Sequence, residues 1–308
     1  MAQGEFFETM GSPPLTALTL QAPAKINLFL AVTGRRDDGY HDLLSVAAPL
    51  VWGDSLEAEE AGEGFALSCD DPEVPLGPEN LVLRAAEAFK AASNWGGGAR
   101  FSLRKKIPMG AGLGGASSDA ASALLLLNQI AGSPFDAAGL QAIAAGVGSD
   151  CSLFLSGAPV VMRGRGERVE RVSREAYARL RGIRVLLFKP GFAVPTPWAY
   201  ARLAAEAPRG YVAPNRAEAM LEAWLGKTGA GAEELLFNSM ERPVFAKFPA
   251  LPALLQLLYE RFGIAGRMSG SGSTCFALLG ETTALGPIEA TIRDAWGPSA
   301  LVVDTRVA

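Results

Sequence analysis

The chain has 308 residues, enough for two domains. Apolar residues make up 49% and charged residues 19%, an ordinary globular balance, and the net charge of −4 offers no broad basic face for nucleic acid. The longest apolar stretches, such as Ala120 to Leu127, fall short of the ~18 residues a membrane span needs, so no membrane partner is expected.

The N-terminus, M-A-Q-G-E-F-F-E-T-M-G-S-P-P, lacks a basic n-region and a long apolar core. It reads as a frayed lead-in and not as a signal peptide. Three cysteines, Cys69, Cys151 and Cys275, show no C-x-x-C spacing, which suits a reducing cytoplasm and gives neither a disulfide framework nor a zinc site. The single histidine, His41, rules out a histidine-rich metal centre. Any Ser–His–Asp triad would have to use it.

In chain order, Thr16 to Leu20 and Lys25 to Val32 read as strands. A turn at Gly34 to Gly39 leads to strands over Leu43 to Val51 and Leu56 to Glu60. Asn80 to Ala92 carries helical spacing of Leu81, Ala85, Ala88 and Phe89 after Pro78. Phe101 to Leu103 is a short strand, and helices are expected near 117–130 and 136–145. Strands follow at Val160 to Met162 and Val169 to Val172, then a charged stretch from Ser173 to Arg184. The boundary between domains 1–180 and 181–308 is placed there. The second half shows strands near 185–188, 264–268, 274–279 and 300–305, with helices around 215–225, 249–262 and 283–294. Strand and helix alternate without a repeated βαβ unit, so the fold class expected is α+β.

The run from Ile107 to Ala121, I-P-M-G-A-G-L-G-G-A-S-S-D-A-A, carries the most chemistry. Gly110, Gly112, Gly114 and Gly115 allow positive φ and close approach of a ligand to the backbone. Ser117 and Ser118 open an apolar helix whose first N–H groups lack intrahelical partners. A glycine loop feeding a helix N-terminus is an anion site, above all for phosphate, and points to a nucleoside triphosphate. Gly110, Gly112 and Gly115 also satisfy G-x-G-x-x-G, but the lead-in Arg104-Lys105-Lys106-Ile107-Pro108 is basic and broken by proline, unlike a buried Rossmann strand. Gly226-Lys227-Thr228 resembles the end of a P-loop, yet Leu221 stands where that motif needs glycine.

Pro108 to Ala120 is similar to P-x-x-x-G-L-G-S-S-x-A, the second motif of the GHMP kinases, with one inserted small residue. Ala22-Pro23-Ala24-Lys25-Ile26-Asn27-Leu28 resembles their first motif, and Met268 to Phe276, M-S-G-S-G-S-T-C-F, their third. Gly34 to His41, G-R-R-D-D-G-Y-H, resembles a signature of the branch whose substrate is a cytidylated methylerythritol. The resemblance runs in matching order from about residue 16 to the C-terminus. It implies a ribosomal-S5-like N-terminal domain, a ferredoxin-like C-terminal domain and a site between them. It further implies phosphorylation of a 2-hydroxyl by ATP with Mg²⁺, on the non-mevalonate route to isoprenoid precursors. The implied partners are ATP and a small-molecule substrate, with the chain a monomer or weak homodimer.

By the same resemblance, Asp150 in Gly148-Ser149-Asp150-Cys151-Ser152 is the catalytic carboxylate, and Lys25 is the cation beside it. Otherwise Asp150 caps a turn and Lys25 is an exposed strand lysine. Phosphate binding falls to the loop from Pro108, through Gly110, Gly112, Leu113, Gly114, Gly115 and Ala116, to Ser117 and Ser118. Either hydroxyl is a candidate Mg²⁺ ligand. Asn80 and Lys105 match positions near the adenosine; the alternatives are a helix cap and a solvated edge charge. Tyr40, His41 and Tyr200 match the positions that hold the cytosine, and Asn27 and Thr196 match substrate-contacting polar positions. Tyr200 could instead belong to a helix packing face with Trp198 and Leu203. Ala47 stands where the family often has an aromatic in its substrate pocket. The readings weighed against these are another small-molecule kinase of the superfamily, a non-catalytic nucleotide-binding protein, and a hydrolase built on a loop serine. The last lacks a G-x-S-x-G elbow.

Overall fold

The computed structural model of the protein describes residues 17–308. The N-terminal lead-in and Thr16 lie outside them.

Two sheets organise the described residues. The larger contains β1 (Leu18–Arg35), β2 (His41–Ala61), β3 (Phe65–Cys69), β4 (Gly98–Arg104), β5 (Val160–Gly164), β6 (Arg168–Arg171) and β8 (Phe237–Asn238). Its order is β3-β4-β2-β1-β8, with β5 joined to β2 and β6 to β5. Helices α1 (Leu81–Ser93), α2 (Gly115–Ile130) and α3 (Ala137–Val147) bury Phe89, Leu124, Leu127 and Leu140 in one cluster with Leu56, Phe101 and Leu103 of β2 and β4. The short α4 (Cys151–Phe154) follows α3.

After α5 (Arg174–Leu180), the smaller sheet is built from β7 (Arg184–Lys189), β9 (Gly266–Met268), β10 (Cys275–Leu279) and β11 (Leu301–Arg306). Its order is β11-β7-β10-β9 and every pair is antiparallel. In chain order that is 4-1-3-2, the ferredoxin-like arrangement. The connections carry α6 (Thr196–Ala205), α7 (Pro214–Gly226), α8 (Glu241–Lys247), α9 (Ala250–Phe262) and α10 (Leu285–Trp296). The class is α+β. One buried cluster mixes Ile26 and Leu28 of β1 with Val185 and Leu187 of β7 and Phe276 of β10, so the sheets share apolar contacts.

The strand expectations at 25–32 and 43–51 correspond to parts of two much longer strands. β1 and β2 stay paired from Leu18↔Ala58 to Arg35↔His41 because three irregularities absorb the breaks, between Pro23/Lys25, Asn27/Phe29 and Val32/Gly34. A bulge lets a proline sit in a ladder that it cannot donate to. The charged stretch 173–184 contains α5, which buries Ala176 and Leu180, one turn apart, and is capped by Ser173 accepting the N–H of Ala176. β3, α4, α8 and β8 were not expected from the sequence. They are short, and β3 at the sheet edge has only three inward residues, Phe65, Leu67 and Cys69, each partly buried.

Candidate active site

The glycine loop ends in α2. Gly114 is its N-cap, with φ +74°, and no side chain caps the helix. The first intrahelical bond runs from Ser118 N–H to Gly114 C=O at 3.0 Å. The N–H groups of Gly115, Ala116 and Ser117 therefore precede the ladder and are free for an anion. Gly110, Gly112 and Gly114 take positive φ; Gly115 does not. At Gly112 a Cβ would collide with the carbonyl oxygen of Ser269, so only glycine lets the second and third loops meet. They are tied by Ser269 Oγ donating to Gly112 C=O at 3.1 Å and by Thr274 N–H donating to Ala111 C=O at 3.3 Å.

Two cavities flank this loop. One, of about 370 Å³, is lined by Asn80, Lys105, Pro108, Leu113, Ala116 and Ser117 among others. The other, of about 860 Å³, holds Lys25, Asn27, Tyr40, His41, Asp150, Thr196 and Tyr200. Gly112 and Gly114 line both.

Lys25 sits where the cavities meet. The bulges on either side of Lys25 and Asn27 leave both side chains on one face, aimed into the larger cavity. Lys25 Nζ donates to Asn27 Oδ1 at 2.6 Å and to Gly112 C=O at 3.0 Å, and lies 3.9 Å from Asp150 Oδ2. The lysine side chain is 7% exposed and the aspartate 38%. Burial pulls the Lys25 ammonium below its ordinary pKa, and the Asp150 charge opposes that shift. Lys25 is thus no exposed strand lysine. Asp150 precedes α4 but makes no side-chain capping bond, so its carboxylate is not spent on a turn.

Asn27 is fully engaged: besides accepting from Lys25, its amide donates to Ser45 Oγ at 2.9 Å, which donates to Phe29 C=O at 2.6 Å. Thr196 Oγ1 and Ser271 Oγ share a hydrogen bond of 2.7 Å, joining α6 to the third loop. The rings of His41 and Tyr200 lie 4.9 Å apart, tilted by 35°. His41 Nε2 is buried without a partner among the described residues. Burial lowers the His41 pKa, and the Arg35 charge lowers it further. Tyr200 has its hydroxyl pushed up to about 12 by burial, with help from the Asp150 charge. Tyr40 is 55% exposed, with the Arg165 guanidinium 4.8 Å above its ring.

The chain matches the family description GHMP kinases N terminal domain over residues 80–158 and GHMP kinases C terminal over residues 217–296. A 4-diphosphocytidyl-2-C-methyl-D-erythritol kinase from Synechococcus is 40% identical over 274 residues, covering 86% of this chain and 88% of that protein. The chain belongs to the GHMP kinases of that family. The same-named protein of Pelotomaculum thermopropionicum is 36% identical over 90% of this chain and 94% of its own length. A crystal structure of 4-(cytidine 5'-diphospho)-2C-methyl-D-erythritol kinase superposes with a TM-score of 0.74 at 35% identity, covering 94% of this chain and all of that one. Homoserine kinase from Cytophaga hutchinsonii superposes with a TM-score of 0.73 at 16% identity and shares the fold.

Within this kinase, several sequence-based alternatives resolve into geometry. Asn80 is a helix cap, accepting the Val82 N–H at 2.9 Å, and also lines the smaller cavity. Lys105 is not a solvated edge charge. Its ammonium is committed to Asp54 and, at 2.9 Å, to Asp119. Tyr200 is both on a helix with buried Ala199 and Leu203 and on the cavity wall, because the two faces of α6 differ. Ser117 faces the smaller cavity, whereas Ser118 is fully buried and its hydroxyl is unpartnered among the described residues. Ala47 does not line the larger cavity; it is fully buried with Phe154, Val160 and Met162.

Sequence reasoning missed Asp54, Asp119 and Asn238. Asp54 Oδ1 accepts the N–H groups of Lys106 and Ile107 at 2.5 and 2.7 Å, fixing the chain entering the glycine loop. Asn238 Nδ2 donates to the carbonyls of Met268 and Gly270 at 2.7 and 2.8 Å, holding the third loop. Their partners are remote in sequence and no local pattern marks them.

Proposed function

We propose that this kinase transfers the γ-phosphoryl group of ATP to the 2-hydroxyl of 4-diphosphocytidyl-2-C-methyl-D-erythritol, giving the 2-phosphate and ADP. One observation carries the reading. Two cavities meet at Gly112 and Gly114, beside Lys25 and Asp150, so a nucleotide in the smaller and an alcohol in the larger present their reacting ends at one point.

The free N–H groups of Gly115, Ala116 and Ser117 hold the triphosphate at the N-terminus of α2. The rest of the loop, from Pro108 through Gly110 and Leu113 to Ser118, shapes this cradle, while Asn80 and Lys105 wall the adenosine end. In this reading Lys105 works through its backbone and stem, since its ammonium is held by two carboxylates. The Asp150 carboxylate orients the acceptor hydroxyl and takes its proton as the O–P bond forms. Lys25 keeps Asp150 ionised and meets charge on the transferring group; Asn27 aims the ammonium.

Mg²⁺ fits the site as an ion carried in with ATP. Among the described residues no group of three or more His, Cys, Asp or Glu is placed to cage it, and Mg²⁺ commonly keeps waters and phosphate oxygens as ligands. Ser117 is the hydroxyl that would join them, because it lines the nucleotide cavity. When bound, the ion neutralises charge on the β- and γ-phosphates.

The cytosine lies between Tyr40 and Tyr200 and hydrogen-bonds His41 and its neighbouring backbone, which line the larger cavity. Thr196 contacts the same substrate. We divide the chain near residue 180 into an ATP-binding part, 1–180, and a C-terminal part, 181–308, which contributes Thr196, Tyr200 and Ser271 to the cleft. The enzyme acts in the cytoplasm as a monomer or weak homodimer; three free cysteines support a reducing compartment.

The test is ADP release from Mg²⁺-ATP with diphosphocytidyl-methylerythritol, methylerythritol phosphate, homoserine and mevalonate. Turnover with the cytidylated compound alone is expected. Turnover with another compound instead would overturn the cytosine site, and none at all would leave a non-catalytic nucleotide binder.

A further inference from the structure

Gly270 and Ser271 of the third loop line the larger cavity together with Lys25 and Asp150. Gly270 has φ +58°, and a Cβ built on it would lie 3.5 Å from Lys25 Nζ and 3.4 Å from Asn27 Oδ1. The loop backbone thus passes within contact distance of the ammonium at the reacting end. Ser269 Oγ and Lys25 Nζ both donate to the Gly112 C=O, at 3.1 and 3.0 Å, so all three motifs close on one point.

The third loop is held from behind by Asn238, which is buried. Its Nδ2 donates to the carbonyls of Met268 and Gly270, at 2.7 and 2.8 Å, and its Oδ1 accepts the Met240 N–H at 2.8 Å. A reversed amide would set its oxygen against two carbonyls and its NH₂ against an N–H, so one orientation alone is satisfied. The Asn238 backbone is fixed in turn, opposite Leu30 in the parallel pairing of β8 with β1. A second clamp from the same segment is Glu241, whose Oε1 accepts the Met268 N–H at 2.9 Å.

This grip has a consequence for the next peptide. The Gly270–Ser271 bond is trans, and a trans peptide points its N–H opposite to its C=O. With the Gly270 carbonyl turned to Asn238, the Ser271 N–H is turned away from it. That N–H makes no hydrogen bond among the described residues, whereas the Ser271 hydroxyl is engaged with Thr196 at 2.7 Å. Glycine at 270 leaves the peptide free to rotate, and a rotation would bring a carbonyl dipole where the N–H stands. Fixed backbone donors stabilise charge that develops in a transition state, and a carbonyl there would oppose it.

We propose that the Ser271 N–H donates to the transferring phosphoryl group, and that Asn238 is the positioning residue that aims it. The inference rests on phosphoryl transfer beside Lys25 and Asp150, as read above. The N–H keeps its proton throughout; its hydrogen bond strengthens as charge gathers on the phosphoryl oxygens.

Asn238→Asp tests this in the full chain, because it keeps the side-chain shape and replaces both donors by oxygen. It should lower kcat by about 10–100-fold and leave KM for the acceptor and Kd for a non-hydrolysable ATP analogue within about twofold. Binding of ADP with Mg²⁺ and aluminium fluoride, a stand-in for the phosphoryl group in transit, should weaken by a factor similar to that in kcat. Parallel weakening of the ATP analogue and the aluminium fluoride complex would mean that Asn238 only supports the fold around the nucleotide. An unchanged kcat would mean that the loop keeps its aim without Asn238. Each result overturns the proposal. If Asn238→Asp does not fold, an ester in place of the backbone amide at Ser271 removes the N–H alone and should lower kcat to a similar extent; wild-type turnover there overturns the proposal as well. The parent reading fails separately, when the wild-type protein forms no ADP with the cytidylated substrate, since aluminium fluoride binding needs no acceptor.

Discussion

Asp54 Oδ1 accepts the backbone N–H of Ile107 at 2.7 Å, across 53 residues of sequence, just before the proline that leads into the glycine loop. The same oxygen accepts from Lys106 N–H, and the second carboxylate oxygen pairs with the Lys105 ammonium, which also reaches Asp119 in the first turns of α2. A fully buried carboxylate thereby fixes both the entry to the loop and the helix that ends it. Burial and the neighbouring Asp54 charge push the Asp119 pKa up, to about 7, against the opposing pull of Lys105.

Asp54→Ala should therefore be costly. It leaves two backbone donors without their acceptor and a buried ammonium with one partner fewer. Losses of about 3–5 kcal/mol follow when one member of a buried charge cluster is removed. Urea unfolding measures it, and a loss under about 1 kcal/mol would show that the loop is held by other contacts.

Asp150→Asn should lower kcat by about 10²–10⁴-fold, the usual contribution of a positioned base, with ATP affinity nearly unchanged. Lys25→Met should also lower kcat, because Asp150 loses the cation 3.9 Å away and the transferring group loses a nearby positive charge. Steady-state kinetics with calorimetric ATP binding separates these effects from misfolding. Unaltered turnover in Asp150→Asn would remove the carboxylate from the mechanism.

Tyr200→Ala should weaken the cytidylated substrate by the stacking contribution of one face, about 1–3 kcal/mol, and spare ATP. Tyr40→Ala should act in the same direction. Tyr200 also packs against the His41 ring, so the melting temperature of each variant is part of the measurement. Equal loss of substrate and ATP binding would indicate damaged packing in place of a lost stacking partner.

His41 is the only histidine, so one imidazole resonance reports its titration by NMR. Its midpoint should fall below the ordinary 6.5, because burial and then Arg35 disfavour the cation. Arg35→Gln should move it upward. The sign for stability follows by linkage. Between the lowered folded midpoint and 6.5, the unfolded chain binds a proton that the folded one refuses, so stability is full above that range and is lost as pH falls through it. A midpoint above 6.5 would mean that the ring is paired with a carboxylate and reads its ligand as a cation.

Much of this protein was legible locally. The 3.6-residue spacing near 80–92 anticipates α1 at Leu81–Ser93, and the apolar run after the glycine loop anticipates α2 at Gly115–Ile130. These elements are set by periodicity, capping and glycine conformation, which act over a few residues. The motifs likewise singled out Lys25, Asp150 and the loop between Pro108 and Ser118, as well as the family to which they belong.

What the sequence could not specify was which distant groups answer one another. That Lys105 is held by Asp54 and Asp119, that Ser117 faces a cavity while Ser118 is buried, and that Ala47 lies off the wall of the larger cavity depend on side-chain direction after the sheet has curled. The bulges flanking the stretch from Lys25 to Asn27 leave both side chains on one face, where Lys25 reaches Gly112 and Asp150 and Asn27 holds the Lys25 ammonium. Arg35 and Arg165 stand out only because folding gives their neighbours carboxylates and leaves these two facing the cavity without one among the described residues. Local chemistry chose the helices, the glycine loop and the motif residues Lys25 and Asp150. Long-range pairing, which carries no local signature, chose the charges that surround them.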